Sequence, residues 1–295
     1  MDVVVARDVA TQAQDKGTDS SLRPGGVLRQ MLFHDNAPDG LSFKFFRSQY
    51  LPGDKAFTSP RHHHAFQQLR WTESGEINYG PGQYIRAREM AYFPRGAYYG
   101  PQVKDTGVGL LLQLGFHGEH QYGGVWANVR EEAIKRLKEK GTFAEGVFVD
   151  TDPDTGERRE RDSGQALYEE QYAALTGNKF VVPEEGYDSP ILLHPQAFDY
   201  YEAAPGVEVK HLGSFFDHPG PHADIRLSVV RLSPGGTYHF GPERGQIAWT
   251  TDPGLRVEDS TYPELTYLYS PRDEKAEISA EGTVEIFVVE FPRLD

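Results

Sequence analysis

Short apolar segments follow one another through the first 116 residues of the chain. Aromatic and β-branched residues dominate these segments, and clusters of Pro, Gly, Asn and Asp separate them. Many short strands joined by such turns are typical of an antiparallel sandwich or barrel. The strands predicted for this first half are 41–50, 65–72, 76–79, 89–93 and 108–116.

The middle of the chain has a different pattern. Residues 129–140 carry apolar side chains at helical spacing, which predicts an amphipathic helix that covers a barrel from outside. Residues 150–162 are almost wholly charged or turn-forming, and we expect an exposed loop there. A second helix is predicted over 163–177, because Ser163 can cap its start and Gly177 can supply the left-handed residue at its end.

Strand patterns resume near residue 207 and repeat the landmarks of the first half. In both halves a strand is followed by a Pro-Gly turn and then by a histidine, His62 in the first and His239 in the second. Pro94 follows His62 by 32 residues, and Pro271 follows His239 by the same 32. Such spacing predicts an internal repeat, with an offset of about 177 residues.

The strand patterns and the repeat predict an all-β fold with inserted helices. They also divide the chain into four parts. Residues 1–26 are polar and Gly-rich and are predicted to be a mobile arm. A first barrel is expected over 27–125, a helical and extended connecting segment over 126–205, and a second barrel over 206–295.

Composition narrows the functional classes. The 295 residues include 44 acidic and 30 basic side chains, and the net charge of −14 would repel nucleic acid or an anionic membrane surface. The chain has no cysteine, so a bound metal must use His, carboxylate, amide or phenol groups. No apolar run approaches the roughly 18 residues that a membrane span needs. We expect a cytoplasmic protein whose partner is a small-molecule substrate, and a homodimer stays open.

One spacing of histidines stands out. His62 and His64 are separated by one residue, Gln68 follows after three more, and Gly75 follows after another six. This pattern resembles the first motif of the cupin family, which has Glu where this chain has Gln68. Side chains alternate along a strand, so His62, His64 and Gln68 are predicted to face the barrel interior while His63 faces away.

A second spacing supports the same family. Pro94, Gly96 and Tyr99 resemble the second cupin motif, which has His at the position of Tyr99 and opens with Gly where this chain has Arg88. Together the two motifs make the chain similar to a bicupin, which has two tandem barrels of the double-stranded β-helix or jelly-roll type.

The resemblance implies one divalent metal ion, Fe, Mn, Ni or Zn, on His62, His64 and Gln68. Tyr99 would fill a further position and is the candidate catalytic residue, although a phenol binds such an ion well only after losing its proton. Three further tyrosines are candidates for a substrate pocket: Tyr79, Tyr92 and Tyr98.

Three functions remain open. The resemblance favours a metal-dependent enzyme of the dioxygenase type that acts on a small oxygenated organic molecule. The residue chemistry favours a Lewis-acid lyase or isomerase, because no carboxylate completes a two-His-one-carboxylate set. The third is a non-catalytic cupin that binds a small molecule without metal.

The second barrel is expected to be degenerate. At an offset of 177, His239 corresponds to His62, but Gly241, Gly245 and Ala276 stand at the places of the other three candidates. Six further histidines lack ligand spacing and are interpreted as loop or surface residues: His117, His120, His194, His211, His218 and His222.

Overall fold

A computed structural model describes residues 1–13, 25–36, 40–53, 56–104, 106–120, 128–184 and 186–294. The chain divides into two compact units, one of residues 11–192 and one of residues 1–10 together with 193–295. Within the described residues, neither α-helix is long and apolar enough to cross a membrane.

The first unit is a strand-rich barrel with an inserted subdomain. Its strands are β2 (Gln12–Ala13), β3 (Val27–Asn36), β4 (Leu41–Tyr50), β5 (Phe57–Ser59), β6 (Gln67–Ser74), β7 (Glu76–Gly80), β8 (Gln83–Arg86), β9 (Met90–Phe93), β10 (Gln102–Lys104), β11 (Val108–Phe116), β12 (Gly141–Ala144), β13 (Val147–Thr151), β14 (Arg158–Asp162) and β15 (Ile191–Leu193). Its helices are α1 (Arg130–Lys140) and α2 (Ser163–Thr176).

The second unit contains the remaining strands and two short 3-10 turns, Ala6–Asp8 and Pro195–Ala197. Its strands are β1 (Asp2–Val5), β16 (Tyr201–Ala204), β17 (Val207–Phe216), β18 (Asp224–Leu232), β19 (Thr237–Phe240), β20 (Gln246–Thr250), β21 (Leu255–Val257), β22 (Ser260–Tyr262), β23 (Thr266–Ser270), β24 (Ala276–Ala280) and β25 (Val284–Glu290).

Both units are built around a seven-stranded sheet with the same topology. The strand order is β15-β9-β6-β11-β4-β3-β2 in the first and β1-β23-β20-β25-β18-β17-β16 in the second. Smaller sheets complete each barrel, β5 with β10 and β7 with β8 in the first, and β19, β21, β22 and β24 in the second. The predicted all-β class and the predicted repeat of barrels are therefore confirmed.

The start of the chain differs from the arm predicted over residues 1–26. Asp2–Val5 is an edge strand of the second barrel's sheet, in which Val4 pairs with Tyr267. Three successive valines are enough for such a strand, because the sheet already supplies its hydrogen-bonding partner. Residues 14–24 of the predicted arm lie outside the described residues.

The charged stretch 150–162 is not the exposed loop that its composition predicts. Strands β13 and β14 use part of it, and Arg159 lies opposite Asp150 across the ladder. Arg159 donates to both oxygens of Asp150, at 2.9 and 2.7 Å, and Arg161 donates to it at 2.8 Å. The two guanidinium groups outweigh burial and hold the pKa of Asp150 below its usual range. Cross-strand ion pairs here replace the apolar pattern of a strand.

Both predicted helices are present with small differences at their ends. The cap of α2 is Asp162, whose side chain accepts from the Gln165 backbone N–H at 2.9 Å, and not Ser163, which is the first helical residue. Gly177 ends the helix in the left-handed region with φ of 72°, as predicted. The helices and β13 enclose a small apolar core that includes Leu137, Phe148 and Leu167.

Candidate functional site

The three consecutive histidines lie in a short extended segment before β6. His62 forms an isolated antiparallel bridge with Tyr99 and is 4% exposed. The His62 ring centroid lies 5.1 Å from that of His64 and 4.5 Å from that of Tyr99. His63 instead stacks at 4.1 Å on Tyr98, whose side chain is exposed. The backbone thus brings His62, His64 and Tyr99 together and directs His63 elsewhere.

Gln68 and Tyr99 meet a third side chain that the cupin motifs do not include. Gln68 Nε2 donates to the Tyr99 hydroxyl at 3.1 Å. Arg70 Nη2 donates to the same hydroxyl at 2.9 Å and to Gln68 Oε1 at 3.1 Å. We call Gln68, Arg70 and Tyr99 the polar triad. It occupies the positions where the resemblance places two metal ligands.

Strand geometry explains why Arg70 is in this group. Arg70 follows Gln68 by two residues on β6, so both side chains are on the same face of the sheet. Its guanidinium lies 4.1 Å from the Phe93 ring centroid and 4.8 Å from that of Tyr99, within the range of cation–π contacts. These rings enclose the cation, and Arg70 is 4% exposed.

The charge of Arg70 has no counter-ion in the described part of the chain. Its Nε and Nη1 are buried without a hydrogen-bond partner, and its Nη2 donates to the Gln68 amide oxygen and the Tyr99 hydroxyl, neither of which is a carboxylate. Burying a guanidinium without a carboxylate costs several kcal/mol, about 3 or more by analogy with broken buried pairs. Structures seldom tolerate such a group unless it serves a ligand or the chemistry of a site.

A second cation lies on the same face of the sheet. Register places Lys44, Gln113 and Gln68 in one row across β4, β11 and β6, next to the row that contains Arg70. Burial, and to a lesser extent Arg29, lower the pKa of Lys44 to about 8. The barrel interior is therefore electropositive as well as polar.

Other buried donors share this interior. Lys104 Nζ donates to the Tyr50 hydroxyl at 3.3 Å, and β10 alternation puts Gln102 on the same face as Lys104. Gln102 pairs with Ser59 on β5. Burial raises the pKa of Tyr50 above its usual range, although the nearby Arg70 guanidinium acts in the opposite direction. Buried side-chain atoms without a hydrogen-bond partner include Gln102 Nε2, Ser59 Oγ and Ser48 Oγ.

The predicted tyrosine pocket is only partly formed. Tyr79 packs in a buried cluster with Tyr99 and Phe93. Tyr92 faces the other side of the sheet, because it pairs with Leu69 and donates its hydroxyl to Gln67 Oε1 at 2.9 Å. Tyr98 is 41% exposed. Strand alternation therefore removes Tyr92 and Tyr98 from the interior.

The residues present do not fit the divalent ion that the resemblance implies. His62 is arranged like a ligand, because its Nδ1–H donates to the Pro60 carbonyl at 2.8 Å, which places the lone pair on Nε2. Gln68 and Tyr99, however, are hydrogen bonded to a guanidinium that would repel a cation within a few ångströms. In the described residues no three His, Asp or Glu side chains cluster closely enough to hold a metal.

Two of these features were missed in the sequence. Arg70 lies in a strand that also contains Gln68 and Glu73, and Lys44 lies in one that also contains Arg47, so neither residue stands out by composition, and neither belongs to a cupin motif. The signal was present, because a charged residue two positions after Gln68 must share its face. His120, interpreted as a surface histidine, is in fact buried against Phe66. Burial lowers the pKa of His120 well below its usual value, so its ring stays neutral.

In the second barrel the polar triad is replaced. Strand register corrects the expected match of His62 with His239. Tyr99 lies five residues after Pro94 and is bridged to His62, and Ala276 lies five residues after Pro271 and pairs with Phe240. Phe240, not His239, is therefore the counterpart of His62. Phe240 is 2% exposed, whereas the His239 side chain is 71% exposed. The offset on this side of the barrel is thus 178 residues, not 177.

The same register identifies the counterparts of Gln68 and Arg70. Gln68 pairs with Phe93 and Gln246 with Ser270, the residues that immediately precede the two landmark prolines. Gln246, not Gly245, therefore corresponds to Gln68. Two residues later, Ala248 corresponds to Arg70 and is fully buried in the apolar core. The glutamine is retained and the cation is lost.

Comparison with known proteins shows similarity in structure only. No family sequence model matches the chain, and no curated protein matches its sequence. A putative dioxygenase from Nostoc punctiforme is similar over 99% of this chain and 82% of its own, at 12% identity and a TM-score of 0.58.

Two oxalate decarboxylases are similar in the same way. The Lactobacillus farciminis protein has 14% identity, 99% and 87% coverage of this chain and its own, and a TM-score of 0.52. The Bacillus subtilis protein, described with Mn(II) centres, has 11% identity, 99% and 78% coverage and a TM-score of 0.52. These neighbours are bicupins, and with the duplicated strand order they show that the chain has the bicupin fold.

Proposed function

We propose that this bicupin binds a small organic molecule inside its first barrel, with Arg70 rather than a resident divalent ion at the centre of the site. Of the three functions left open by the sequence, this is the metal-free binding cupin. The observation that carries the proposal is the polar triad, in which Gln68 and Tyr99 are both hydrogen bonded to Arg70.

The chemistry of the interior supports this proposal. Enclosed sites that bind small molecules combine aromatic walls with a few polar groups that fix orientation. Phe93, Tyr79 and Tyr99 supply the wall here, and Arg70 supplies a fixed donor against it. The second barrel has no equivalent, because Ala248 replaces the arginine.

A metalloenzyme is the second candidate, and one observation favours it. The Pro60 carbonyl fixes the tautomer of His62, and His64 lies beside it with a ring separation of 5.1 Å. A Lewis-acid lyase or isomerase would need a bound divalent ion as electron-pair acceptor, and a dioxygenase would need one that activates oxygen. To become ligands, Gln68 and Tyr99 would first have to exchange their hydrogen bonds with Arg70 for bonds to the ion.

Metal analysis of the purified protein separates the two candidates. The wild-type chain and the His64→Ala variant are each loaded with Fe, Mn, Ni or Zn, desalted and measured by elemental analysis, with circular dichroism as the control for folding. We expect well under one metal per chain, about a tenth or less, in both proteins, because neutral donors beside a cation bind weakly. About one metal per wild-type chain, lost in His64→Ala, would overturn the proposal and leave the metalloenzyme in front.

A further inference from the structure

We propose that the ligand of the first barrel is a small organic carboxylate that binds to the Arg70 guanidinium. This inference rests on the proposed function and names the chemical class of its ligand. Two buried nitrogens of Arg70, Nε and Nη1, have no hydrogen-bond partner among the residues that the structure describes.

The hydrogen-bond donors and the positive charge in this barrel favour a carboxylate as the ligand. A guanidinium presents its N–H groups in a rigid fork that matches the two oxygens of a carboxylate. Arg70 is held in place by Gln68, Tyr99 and the two rings that enclose it, so little side-chain freedom is lost when an anion binds. A neutral ligand would leave the guanidinium buried without a counter-ion.

The surroundings of Arg70 favour an anion that carries further oxygen atoms. Lys44 lies on the same face of the sheet, two strands away from Arg70, and Lys104 donates to the Tyr50 hydroxyl. Gln102 Nε2 is a further buried donor without a partner, and the Ser48 and Ser59 hydroxyls can also donate. These side chains suit hydroxyl or carbonyl oxygens elsewhere in the ligand.

Binding of simple carboxylates tests the proposal. Formate, acetate, glycolate, oxalate, malonate and benzoate are titrated into the purified full chain by calorimetry. Acetamide, benzamide and glycol serve as neutral analogues, and inorganic phosphate serves as a non-carboxylate anion. Wild type is compared with Arg70→Met, Arg70→Lys and the control variant Arg158→Met, which removes an exposed arginine of the inserted subdomain.

We expect at least one carboxylate to bind wild type and Arg158→Met equally, and its neutral analogue to bind neither. Arg70→Met should weaken the affinity at least about 30-fold, as loss of one partner of a buried charged hydrogen bond does. Arg70→Lys should fall between the two, because it keeps the charge but loses the fork.

The outcomes separate this inference from the proposed function. If the protein is metal-free but binds neutral analogues as well as carboxylates, or binds carboxylates equally in Arg70→Met, the ligand class is wrong while the binding function stands. Preference for phosphate over every carboxylate would also overturn the class. Stoichiometric metal on His64 would overturn both, because Gln68 and Tyr99 would then have left Arg70.

Discussion

The two barrels share one strand order but differ in what fills them. The interior of the second has an apolar core that includes Phe240, Ala248 and Leu268, and Gln246 is retained beside it. The matching interior of the first contains His62 and the polar triad. Because Ala248 stands at the position of Arg70 in the second barrel, the fold itself needs no charged residue there. The same strand order can therefore hold two interiors of different chemistry.

The two barrels also differ in how the charge of a buried arginine is compensated. Arg244 of the second barrel donates to the Asp224 carboxylate at 2.6 Å and to the Phe291 carbonyl at 3.1 Å. Its charge is compensated, and Asp224 also accepts from Arg226 at 2.7 Å. Arg70 is equally buried, but no carboxylate among the described residues contacts it. One arginine therefore has a buried counter-ion, and the other has none in the described part of the chain.

The largest effect is expected from moving the first barrel's cation into the second. The change Ala248→Arg places a guanidinium in a closely packed apolar core without a counter-ion, and we expect a loss of about 5 kcal/mol of unfolding free energy or no soluble protein. Soluble yield and urea denaturation measure this, with Arg256→Ala, an exposed change in the same barrel, as control. Near-wild-type stability would mean that the second barrel can accommodate a buried arginine, which its packed apolar core does not predict.

Removing the compensated arginine should have the next largest effect. In Arg244→Met the Asp224 carboxylate loses its buried partner, so we expect about 4 kcal/mol of destabilisation. Guanidinium chloride unfolding followed by fluorescence gives the value. Arg226→Met serves as the control, because this neighbouring arginine is more exposed. Its loss should cost about 1 kcal/mol. Equal losses in the two variants would contradict the difference in burial.

The destabilising effect of Lys44 in the first barrel should depend on pH. Its counterpart by register is Arg226, which has two carboxylate neighbours, whereas Lys44 has none within hydrogen-bond distance among the described residues. Burial lowers the folded-state pKa of Lys44 from 10.5 to about 8. Below pH 8 both folded and unfolded states are protonated and the full penalty applies. The penalty disappears as the pH rises from about 8 towards 10.5.

The change Lys44→Met should therefore stabilise the protein at pH 7, by about 2 kcal/mol after allowance for partial solvent screening. At pH 9.5 the difference from wild type should be much smaller, since the folded wild type has lost the Lys44 proton. Urea unfolding of both proteins at pH 7 and pH 9.5 measures the two differences in unfolding free energy. Tyrosine ionisation at the higher pH affects both proteins equally and does not change the difference between them. A difference that stays constant with pH would show that Lys44 is not buried as a cation.

The sequence predicts more of the scaffold than of the site. Periodicity found both helices and most strands of the main sheets, because alternation and turn residues depend on local chemistry. It missed β13 and β14, whose Arg and Asp residues stabilise the sheet through ion pairs rather than apolar contacts. It also missed β1, which is too short to be recognised without the sheet that it joins.

The site divides in the same way. Motif spacing brought His62, His64, Gln68 and Tyr99 together, but what Gln68 and Tyr99 bind depends on a residue outside the motifs. Register across β6 and β9 was needed to recognise that Gln246, and not Gly245, matches Gln68. One extra or missing residue in a loop shifts the correspondence between the two halves by one position. Residue spacing in the sequence does not show before which strand this residue lies.

Replacement of Arg70 tests most directly whether the first barrel holds a buried charge without a counter-ion. The unfolding free energies of wild type and Arg70→Met are measured by urea denaturation in a buffer free of organic anions. We predict that Arg70→Met is as stable as wild type or up to about 2 kcal/mol more stable, because a buried charge without a counter-ion is removed. A loss of about 3 kcal/mol or more, like that expected for Arg244→Met, would mean that Arg70 stabilises the first barrel and is not an uncompensated charge.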